Sequence, residues 1–374
     1  MDKISDTDSK IISILRFPLA VMIVVLHSMN VENINVNIPW ELHNVPFEIA
    51  MFDILRVLFS RVLGHIVVPA FMVISGYLFF VKFKKWDWLL YKKKIQSRIN
   101  TLFIPYVLWN IIPILITILW LHHANLISDY LNEIWNKGIL NIFWSYRGGD
   151  NVSFGEFHIF TIGFPFNVPL WFLRDLIIFT LISPLIYIAI RKAFLSILLI
   201  LLLWSLNGGN ADINALIWFY IGAGLSIKNI SLSNHRPILR NIIVLLFILS
   251  GSLKLFTFHE GNMLLWEKIV NLLSIMSGIY IVFMIASCTK LQVSDNYKKY
   301  IASSSFLIYV FHMELLWRSH MFLKLVFANA TNKAWQAFAV YLISVLTTIV
   351  GLLIINYILV KYFPKSNYIL TANR

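Results

Sequence analysis

The sequence predicts an all-α protein that crosses a membrane many times. Of its 374 residues, 59% are hydrophobic and only 13% are charged, and the mean hydropathy is +0.76. A typical soluble domain carries about 25% charged residues. Long apolar runs recur along the whole chain and match the length of a bilayer core. These observations together indicate a polytopic integral membrane protein.

Ten apolar windows are candidates for helices that cross a bilayer, which takes about 17 to 25 residues. In chain order they are 11–31, 56–81, 99–120, 170–190, 193–208, 213–228, 238–257, 265–288, 300–320 and 335–360. The fifth and sixth windows are short, and the NGGNAD stretch between them is typical of a turn. This pair is interpreted either as two spans or as one broken element. We therefore expect about ten transmembrane helices.

Basic residues predict the orientation, because cytoplasmic loops retain Lys and Arg. Segment 82–98 contains six lysines and one arginine against a single acid, Asp87, and is expected to be a basic cytosolic loop. Counting spans from it places both termini in the cytosol. Segment 121–169 then becomes an outer loop, expected to carry a short amphipathic helix. The net charge of +13 follows from this distribution, so no nucleic-acid partner is expected.

The chain 1–374 is interpreted as a single membrane-embedded domain, with no fused soluble domain. Its first apolar run is longer than a signal-peptide core and lacks an A-x-A-like cleavage site, which favours a retained span. Cys288 is the only cysteine, which excludes an intramolecular disulfide and a cysteine-based metal cluster. His122 and His123 lack a complementary ligand set, so no metal site is expected.

Arg16 and His27 are the most informative residues, because both lie in the first apolar run. An ionisable residue at membrane depth is costly and by default a functional candidate. Eleven positions separate the two, about three helical turns, so their side chains leave one face about 16 Å apart. Each alone has a structural interpretation, as a snorkelling arginine or a packed histidine. Their common face favours function.

Other polar residues of the predicted spans form two groups by depth. Toward the cytosol, with Arg16, lie Ser75, Gly76 and Arg98. Toward the outside, with His27, lie His65, Arg174, Asp175, His312 and Glu314. Small residues in a span usually mark close helix packing, and adjacent opposite charges usually form a structural ion pair. The functional interpretation is a molecule that enters from one side and reacts near the other.

Five motifs lie in order along nearly the whole chain. They are the Arg16-x10-His27 pair, SGYLF at 75–79, RINTLFIPYVLWN at 98–110, PLWFLRDLIIFTLISPLI at 169–186 and SSFLIYVFHMELL at 304–316. Together they resemble the membrane acyltransferase 3 family. The resemblance implies a membrane-bound enzyme that transfers acyl groups, most often acetyl, from cytosolic acyl-CoA to hydroxyls of extracytoplasmic glycans or lipid-linked sugars.

The resemblance also implies roles for individual residues. Arg16 and His27 match the essential pair of the family. Arg98 matches the first position of its RxxR-like motif, whereas Thr101 occupies the second, so Lys93 or Lys94 is expected to supply the missing cation. The predicted donor-binding residues are Arg98, Ser75, Gly76 and Lys94. The predicted acceptor-side or orienting residues are Arg174, Asp175, His312, Glu314 and Trp171.

The residue chemistry agrees with this interpretation. A cationic cytosolic mouth can hold the phosphates of acyl-CoA. At the outer end, the neutral imidazole of His27 can accept the proton of a sugar hydroxyl as the hydroxyl attacks the thioester. Asp175 or Glu314 is a candidate carboxylate for orienting that imidazole. Direct transfer and an acyl-enzyme relay both remain open. No bound cofactor is expected, and acyl-CoA, a saccharide and membrane lipids are the expected partners.

The main alternative is a transporter or flippase of lipid-linked sugars, because buried charges also mark substrate paths. The sequence shows no detectable inverted repeat, and its buried charges follow one Arg/His line, which favours the acyltransferase. A purely structural membrane protein, the third possibility, leaves Arg16 unexplained. The expected location is the plasma or inner membrane of a bacterial cell.

Overall fold

The computed structural model describes residues 5–28, 47–81, 83, 85–121, 127–154, 157–206, 211–233, 237–257, 264–289, 295–327 and 333–371. Helices account for most of these residues, which confirms the predicted all-α class. A short two-stranded antiparallel hairpin is an exception that the sequence analysis did not anticipate. His122 and His123 lie outside the described residues.

Fourteen α-helices are described. They are α1 (Asp6–Ser28), α2 (Phe47–Arg56), α3 (Val67–Phe80), α4 (Trp88–Arg98), α5 (Ile104–Leu121), α6 (Ile127–Lys137), α7 (Trp171–Leu181), α8 (Ser183–Leu206), α9 (Ala211–Ile227), α10 (Pro237–Thr257), α11 (Leu265–Cys288), α12 (Asp295–Val326), α13 (Lys333–Tyr362) and α14 (Pro364–Leu370). The strands are β1 (Gly149–Phe154) and β2 (Phe157–Gly163). Two π-helical turns, Val57–Leu63 and Ile99–Phe103, and three 3-10 turns, Gly64–Ile66, Ile139–Phe143 and Val168–Leu170, lie between these elements.

Seven helical stretches of the described chain are long and apolar enough to cross a membrane. They are Asp6–Ser28, Ala50–Phe80, Trp88–Leu119, Ser183–Leu202, Ile238–Leu255, Leu265–Cys288 and Trp335–Tyr362. A shorter apolar helix, Asp212–Ile227, corresponds to the predicted window 213–228. The window 300–320 forms part of α12, in which three consecutive serines, His312 and Glu314 lower the hydropathy. The total of ten spans stays a prediction.

The region 170–208 is divided differently from the two predicted windows. Helix α7 ends at Leu181 and α8 begins at Ser183. Pro184 explains this position, because proline lacks an N–H and is tolerated in the first turn of a helix but not in its interior. Helix α8 then continues to Leu206 with a kink at Ala193 (φ −148°, ψ 38°). The stretch 207–210, within the predicted turn, lies outside the described residues.

The described chain forms two compact units, each built from two separate parts of the sequence. The first unit comprises Met1–Trp86 and Pro184–Ile355, and the second comprises Asp87–Ser183 and Asn356–Arg374. In the first unit, α1 packs against α12, α3 against α9, and α10 against α11. In the second unit, α5 contacts α6 and α14, and α4 contacts α7. The single-domain interpretation stays a prediction.

Two glycines let α3 and α9 cross at close range. A Cβ atom added to Gly76 would collide with the backbone of Phe219 and Ala223, and one added to Gly222 would collide with the backbone of Val73. Small residues at a crossing bring two backbones into van der Waals contact, which drives helix association in membranes. Helix packing therefore accounts for Gly76 within the SGYLF motif.

Gly76→Ala is expected to destabilise the protein by about 1 to 3 kcal/mol, because the added methyl group meets rigid backbone. Thermal melting of the purified protein measures this loss. Gly251→Ala in α10 is the matched control, since the nearest atom to its added Cβ is a side-chain methyl of Val62 at 3.3 Å. Equal melting temperatures for the two variants would contradict the packing role of Gly76.

The helical path from Phe47 to Phe80 is irregular at its centre. A π-helical turn at Val57–Leu63 and a 3-10 turn at Gly64–Ile66 separate α2 from α3. Such interruptions frequently mark functional sites. This one carries Ser60, whose Oγ donates a hydrogen bond to the Val25 carbonyl oxygen of α1 at 2.7 Å. The irregular turns are thus anchored near His27.

The basic segment 82–98 is helical over most of its length. The Asp87 side chain accepts hydrogen bonds from the backbone N–H groups of Leu89 and Leu90 at 2.8 and 3.1 Å, and so caps α4. Helix α4 then passes through the π-helical turn Ile99–Phe103 into α5. Its cytosolic location stays a prediction.

Residues 127–170, called here the hairpin segment, cover most of the predicted outer loop 121–169. They begin with α6, which turns Ile134 toward a cluster with Ile142 and Phe166 and pairs Lys137 with Glu133 at 2.9 Å on its exposed side. This helix confirms the short amphipathic helix expected there. The hydrogen bond from Lys137 lowers the pKa of the Glu133 carboxyl below its usual value.

Candidate active site

Helices α1 and α12 bring His27 and His312 together. Their ring centroids are 5.1 Å apart and the ring planes are inclined by 35°. His312 is fully buried, and His27 is partly buried at the last turn of α1. The sequence analysis assigned both residues to the same depth, and the structure shows that they form a direct pair.

The backbone of α12 determines which nitrogen of His312 carries the proton. Nδ1 lies 3.0 Å from the Ile308 carbonyl oxygen and 2.9 Å from that of Tyr309. A carbonyl oxygen only accepts, so Nδ1 must be the N–H donor and Nε2 must hold the lone pair. Nε2 is buried and makes no hydrogen bond to any described residue. His312 thus presents a proton-accepting nitrogen beside His27.

Arg16 lies on the same helix as His27. Helix α1 is continuous from Asp6 to Ser28 and contains Pro18, so the predicted separation of about three turns is retained. The first turn of α1 is tied to α3, because the buried Asp8 accepts a 2.8 Å hydrogen bond from the Tyr77 hydroxyl. Tyr77 is the third residue of SGYLF, so this motif orients the helix that carries Arg16 and His27.

Two cations that contact His65 were not singled out from the sequence. Arg61 lies in the irregular turn between α2 and α3, and Lys254 lies in α10 and is only 4% exposed. Their contacts meet at His65, where Lys254 Nζ is 3.2 Å from Nδ1 and Arg61 Nη1 is 3.3 Å from Nε2. Arg61 also interacts electrostatically with His27. The available signal was that each cation stands alone in an apolar run.

A buried ion pair lies on α2, close in sequence to this cluster. Arg56 Nε donates to Asp53 Oδ1 at 2.7 Å, and both side chains are almost fully buried. Ser60, one turn after Arg56, is 3.0 Å from the Tyr341 hydroxyl of α13. Asp53 and Arg56 were not singled out from the sequence, because neither residue belongs to a recognisable motif.

Arg174 and Asp175 form a buried clamp in the second unit. Arg174 Nε and Nη2 donate to Asp175 Oδ1 at 3.1 and 3.0 Å, and the two side chains are 4% and 2% exposed. Arg174 Nη1 also donates to the carbonyl oxygens of Trp144 at 3.1 Å and of Gly163. These contacts attach the hairpin segment to α7. The acceptor-side role of Arg174 and Asp175 stays a prediction.

The RINTLFIPYVLWN motif makes further structural contacts in the second unit. The Tyr106 hydroxyl donates to the Phe143 carbonyl oxygen of the hairpin segment. The Trp109 indole N–H donates to the Leu370 carbonyl oxygen of α14 at 2.8 Å. Asn110 Oδ1 accepts the backbone N–H of Asn167 at 3.1 Å. This motif therefore holds α5, α14 and the hairpin segment together.

The family comparison gives the class of protein. The family described as an acyltransferase domain matches residues 10–357, nearly the whole chain. The chain belongs to this acyltransferase family. Both histidines and all the other candidate residues named above fall within the matched range. Family membership and the seven apolar helices together make the protein an integral membrane member of an acyltransferase family.

One curated protein illustrates the relationship. The chain is 26% identical over 204 residues to the succinoglycan biosynthesis protein ExoH of Rhizobium meliloti (strain 1021). The alignment covers 53% of this chain and 51% of ExoH, so the chain spans about half the length of the curated relative that it matches. No solved structure matches the chain.

The remaining predicted site residues of this chain are placed as follows. Arg98 ends α4, and Lys94 lies one turn earlier on the same face. Thr101 Oγ1 donates to the Ser97 carbonyl oxygen at 3.0 Å. Ser75 is partly buried on α3. The donor-binding roles of Arg98, Ser75, Gly76 and Lys94 stay predictions.

The two remaining orienting candidates make their described contacts within their own helices. The Glu314 carboxylate is 3.5 Å from Arg318 on the same helix and is partly exposed. Trp171 begins α7, with its ring beside that of Phe172. An imidazole, that of His312, thus occupies the position next to His27 where the sequence analysis expected a carboxylate. The described residues contain no group of three potential metal ligands.

Proposed function

We propose that this acyltransferase moves an acyl group, with acetyl as the first candidate, from cytosolic acyl-CoA to a hydroxyl of an extracytoplasmic or lipid-linked saccharide. The packing of the His27 ring against the ring of His312, whose buried Nε2 has no hydrogen bond to any described residue, is the observation that carries the proposal. The name of ExoH, a succinoglycan biosynthesis protein, supports a saccharide as the acceptor. The proposed location is the plasma or inner membrane of a bacterial cell.

In the proposed reaction, His27 is the general base. It removes the proton of the sugar hydroxyl while the hydroxyl oxygen attacks the thioester carbonyl carbon. The carbon–sulfur bond then breaks, and the thiolate takes the proton from His27 and leaves as CoA. His312 Nε2 accepts the second N–H of the transient His27 imidazolium and spreads its charge, the role that a carboxylate plays in other catalytic triads. The rings move closer when substrates are bound, as catalytic hydrogen bonds commonly do.

In the second unit, Arg98 and Lys94 would bind phosphates of the donor. In the first unit, Arg16 lies lower on the helix face that carries His27. Guanidinium groups bind phosphate through paired N–H donors and remain charged when partly buried. The thioester would then extend along α1 toward His27. The saccharide would reach His27 from the opposite end of this helix.

Acyl transfer by the purified protein tests this function. The full chain in detergent is mixed with acetyl-CoA labelled on the acetyl group, and both free CoA and acetylated saccharide are measured. We expect thioester cleavage that depends on the protein. A transporter or flippase of lipid-linked sugars would give neither product, and that result would overturn the proposal. Mass spectrometry of surface polysaccharide from cells with and without the protein identifies the acceptor.

Arg98→Ala is expected to raise the apparent KM for acyl-CoA by about tenfold or more, because charge-assisted hydrogen bonds to the phosphates are lost. Arg98→Lys should restore binding only in part, since lysine lacks the planar fork. Lys92→Ala, at an exposed position on another face of α4, is the control and should leave KM unchanged. An unchanged KM in Arg98→Ala would remove this residue from the donor site.

A further inference from the structure

The first unit contains a basic cluster that the proposed reaction does not use. It is formed by Arg61, His65 and Lys254. Lys254 is almost fully buried, and its Nζ donates to the Arg61 carbonyl oxygen at 2.7 Å. Lys254 makes no ion pair with any acid in the part of the chain that the structure describes. Burying such a cation without a paired acid is costly, which indicates a function for it.

The hydrogen bonds of this basic cluster cannot all be satisfied. Nδ1 of His65 faces the Lys254 ammonium, and Nε2 faces the Arg61 guanidinium. Both cations are pure donors, whereas a neutral imidazole has one accepting nitrogen and one N–H. In one of the two contacts, the N–H of the imidazole therefore faces an N–H of the cation, and no hydrogen bond can form there. An anion that accepts from the cations would remove this conflict.

Helix α11 adds a polar group to the basic cluster. Asn271 lies beside His65, and its buried amide oxygen has no hydrogen bond of good geometry within the described residues. Rotation of the amide by half a turn would present N–H donors instead. The acid of α11, Glu267, lies one turn earlier and accepts the Leu264 backbone N–H at 2.6 Å.

We propose that Arg61, His65 and Lys254 bind an oxyanion, a carboxylate or a phosphate, that belongs to a substrate. The site lies close to the proposed reacting groups, because Arg61 follows Ser60, whose Oγ donates to the Val25 carbonyl oxygen two residues before His27. This inference rests on the proposed function and deepens it, since the basic cluster would select a substrate that carries negative charge. The oxyanion has two sources to separate: an acyl group that ends in a carboxylate, or an acidic saccharide acceptor.

Binding is tested first, without the reaction. The purified full chain is melted with sodium succinate or sodium phosphate, against sodium chloride at equal ionic strength. Ligands that bind the folded state raise the melting temperature. We expect this rise in the wild type and in the control Lys268→Met, and its loss in Lys254→Met. Lys254→Arg keeps the positive charge, so the anion should still raise the melting temperature of this variant. A rise that persists in Lys254→Met, or no rise with either anion in the wild type, would overturn the proposal.

Transfer then identifies the source of the oxyanion. If the oxyanion is on the acyl group, Lys254→Met should lower kcat/KM by about 10- to 100-fold with succinyl-CoA but not with acetyl-CoA. If the oxyanion is on the acceptor, Lys254→Met should lower kcat/KM equally with succinyl-CoA and acetyl-CoA when the saccharide is acidic. With a neutral saccharide, kcat/KM should stay unchanged for both donors. An unchanged kcat/KM in every combination would overturn the proposal. A wild-type protein that transfers nothing would contradict the proposed function, while the melting experiment would still decide whether the basic cluster binds anions.

Discussion

His27→Ala is expected to lower acyl transfer by about 10² to 10⁴-fold, the usual loss when a general base is removed. The variant should still fold and bind acyl-CoA, because the imidazole acts on the proton of the acceptor and not on the phosphates of the donor. Donor binding and acyl transfer are measured on the same purified sample. The expected change is therefore in kcat rather than in donor affinity.

His27→Gln separates chemistry from packing. Glutamine retains much of the volume of the side chain but cannot act as a base near neutral pH. If His27 only fills space beside His312, both variants should melt at lower temperature and keep near-normal turnover per folded molecule. An active, destabilised His27→Ala protein would therefore contradict the catalytic role.

The pairing with His312 adds a test of coupling. If the two rings handle one proton together, His312→Ala should also slow transfer. The double variant should then be little slower than His27→Ala, since residues that act as a unit give non-additive losses. Losses that multiply in the double variant would show that the two rings act independently.

Asp175→Ala is expected to destabilise the protein by about 3 to 5 kcal/mol, because it leaves the buried Arg174 guanidinium without its countercharge. Arg174 also holds the carbonyl oxygens of Trp144 and Gly163, so the hairpin segment should loosen with it. Limited proteolysis within residues 127–170 and thermal melting of the purified protein both report this change.

Glu133→Ala is the matched control for Asp175. Its ion pair with Lys137 lies at the surface of the hairpin segment, with about half of each side chain exposed, so its loss should cost at most about 1 kcal/mol. Transfer per folded molecule should stay near normal in both variants. A normally stable Asp175→Ala protein that has lost transfer would instead support the acceptor-side role predicted from the sequence.

The sequence by itself determined the membrane class, the helical fold and the family. Composition and apolar run length are local properties, and the bilayer permits few backbone structures, so these features can be read without knowing any contact. The placement of Arg16 and His27 on one helix face followed for the same reason, because helical geometry relates residues eleven positions apart. The amphipathic α6 was likewise visible in its own residues.

Only the tertiary structure decided which side chains meet. His312 is 285 positions from His27, and Lys254 is 189 positions from His65, so no local pattern could reveal either contact. The structure also showed that Gly76 serves the crossing of α3 and α9 and that Arg174 and Asp175 anchor the hairpin segment. A charged residue in an apolar run of the sequence indicates that a partner is needed, because burying a charge alone is costly. The packing of distant helices determines which partner is present.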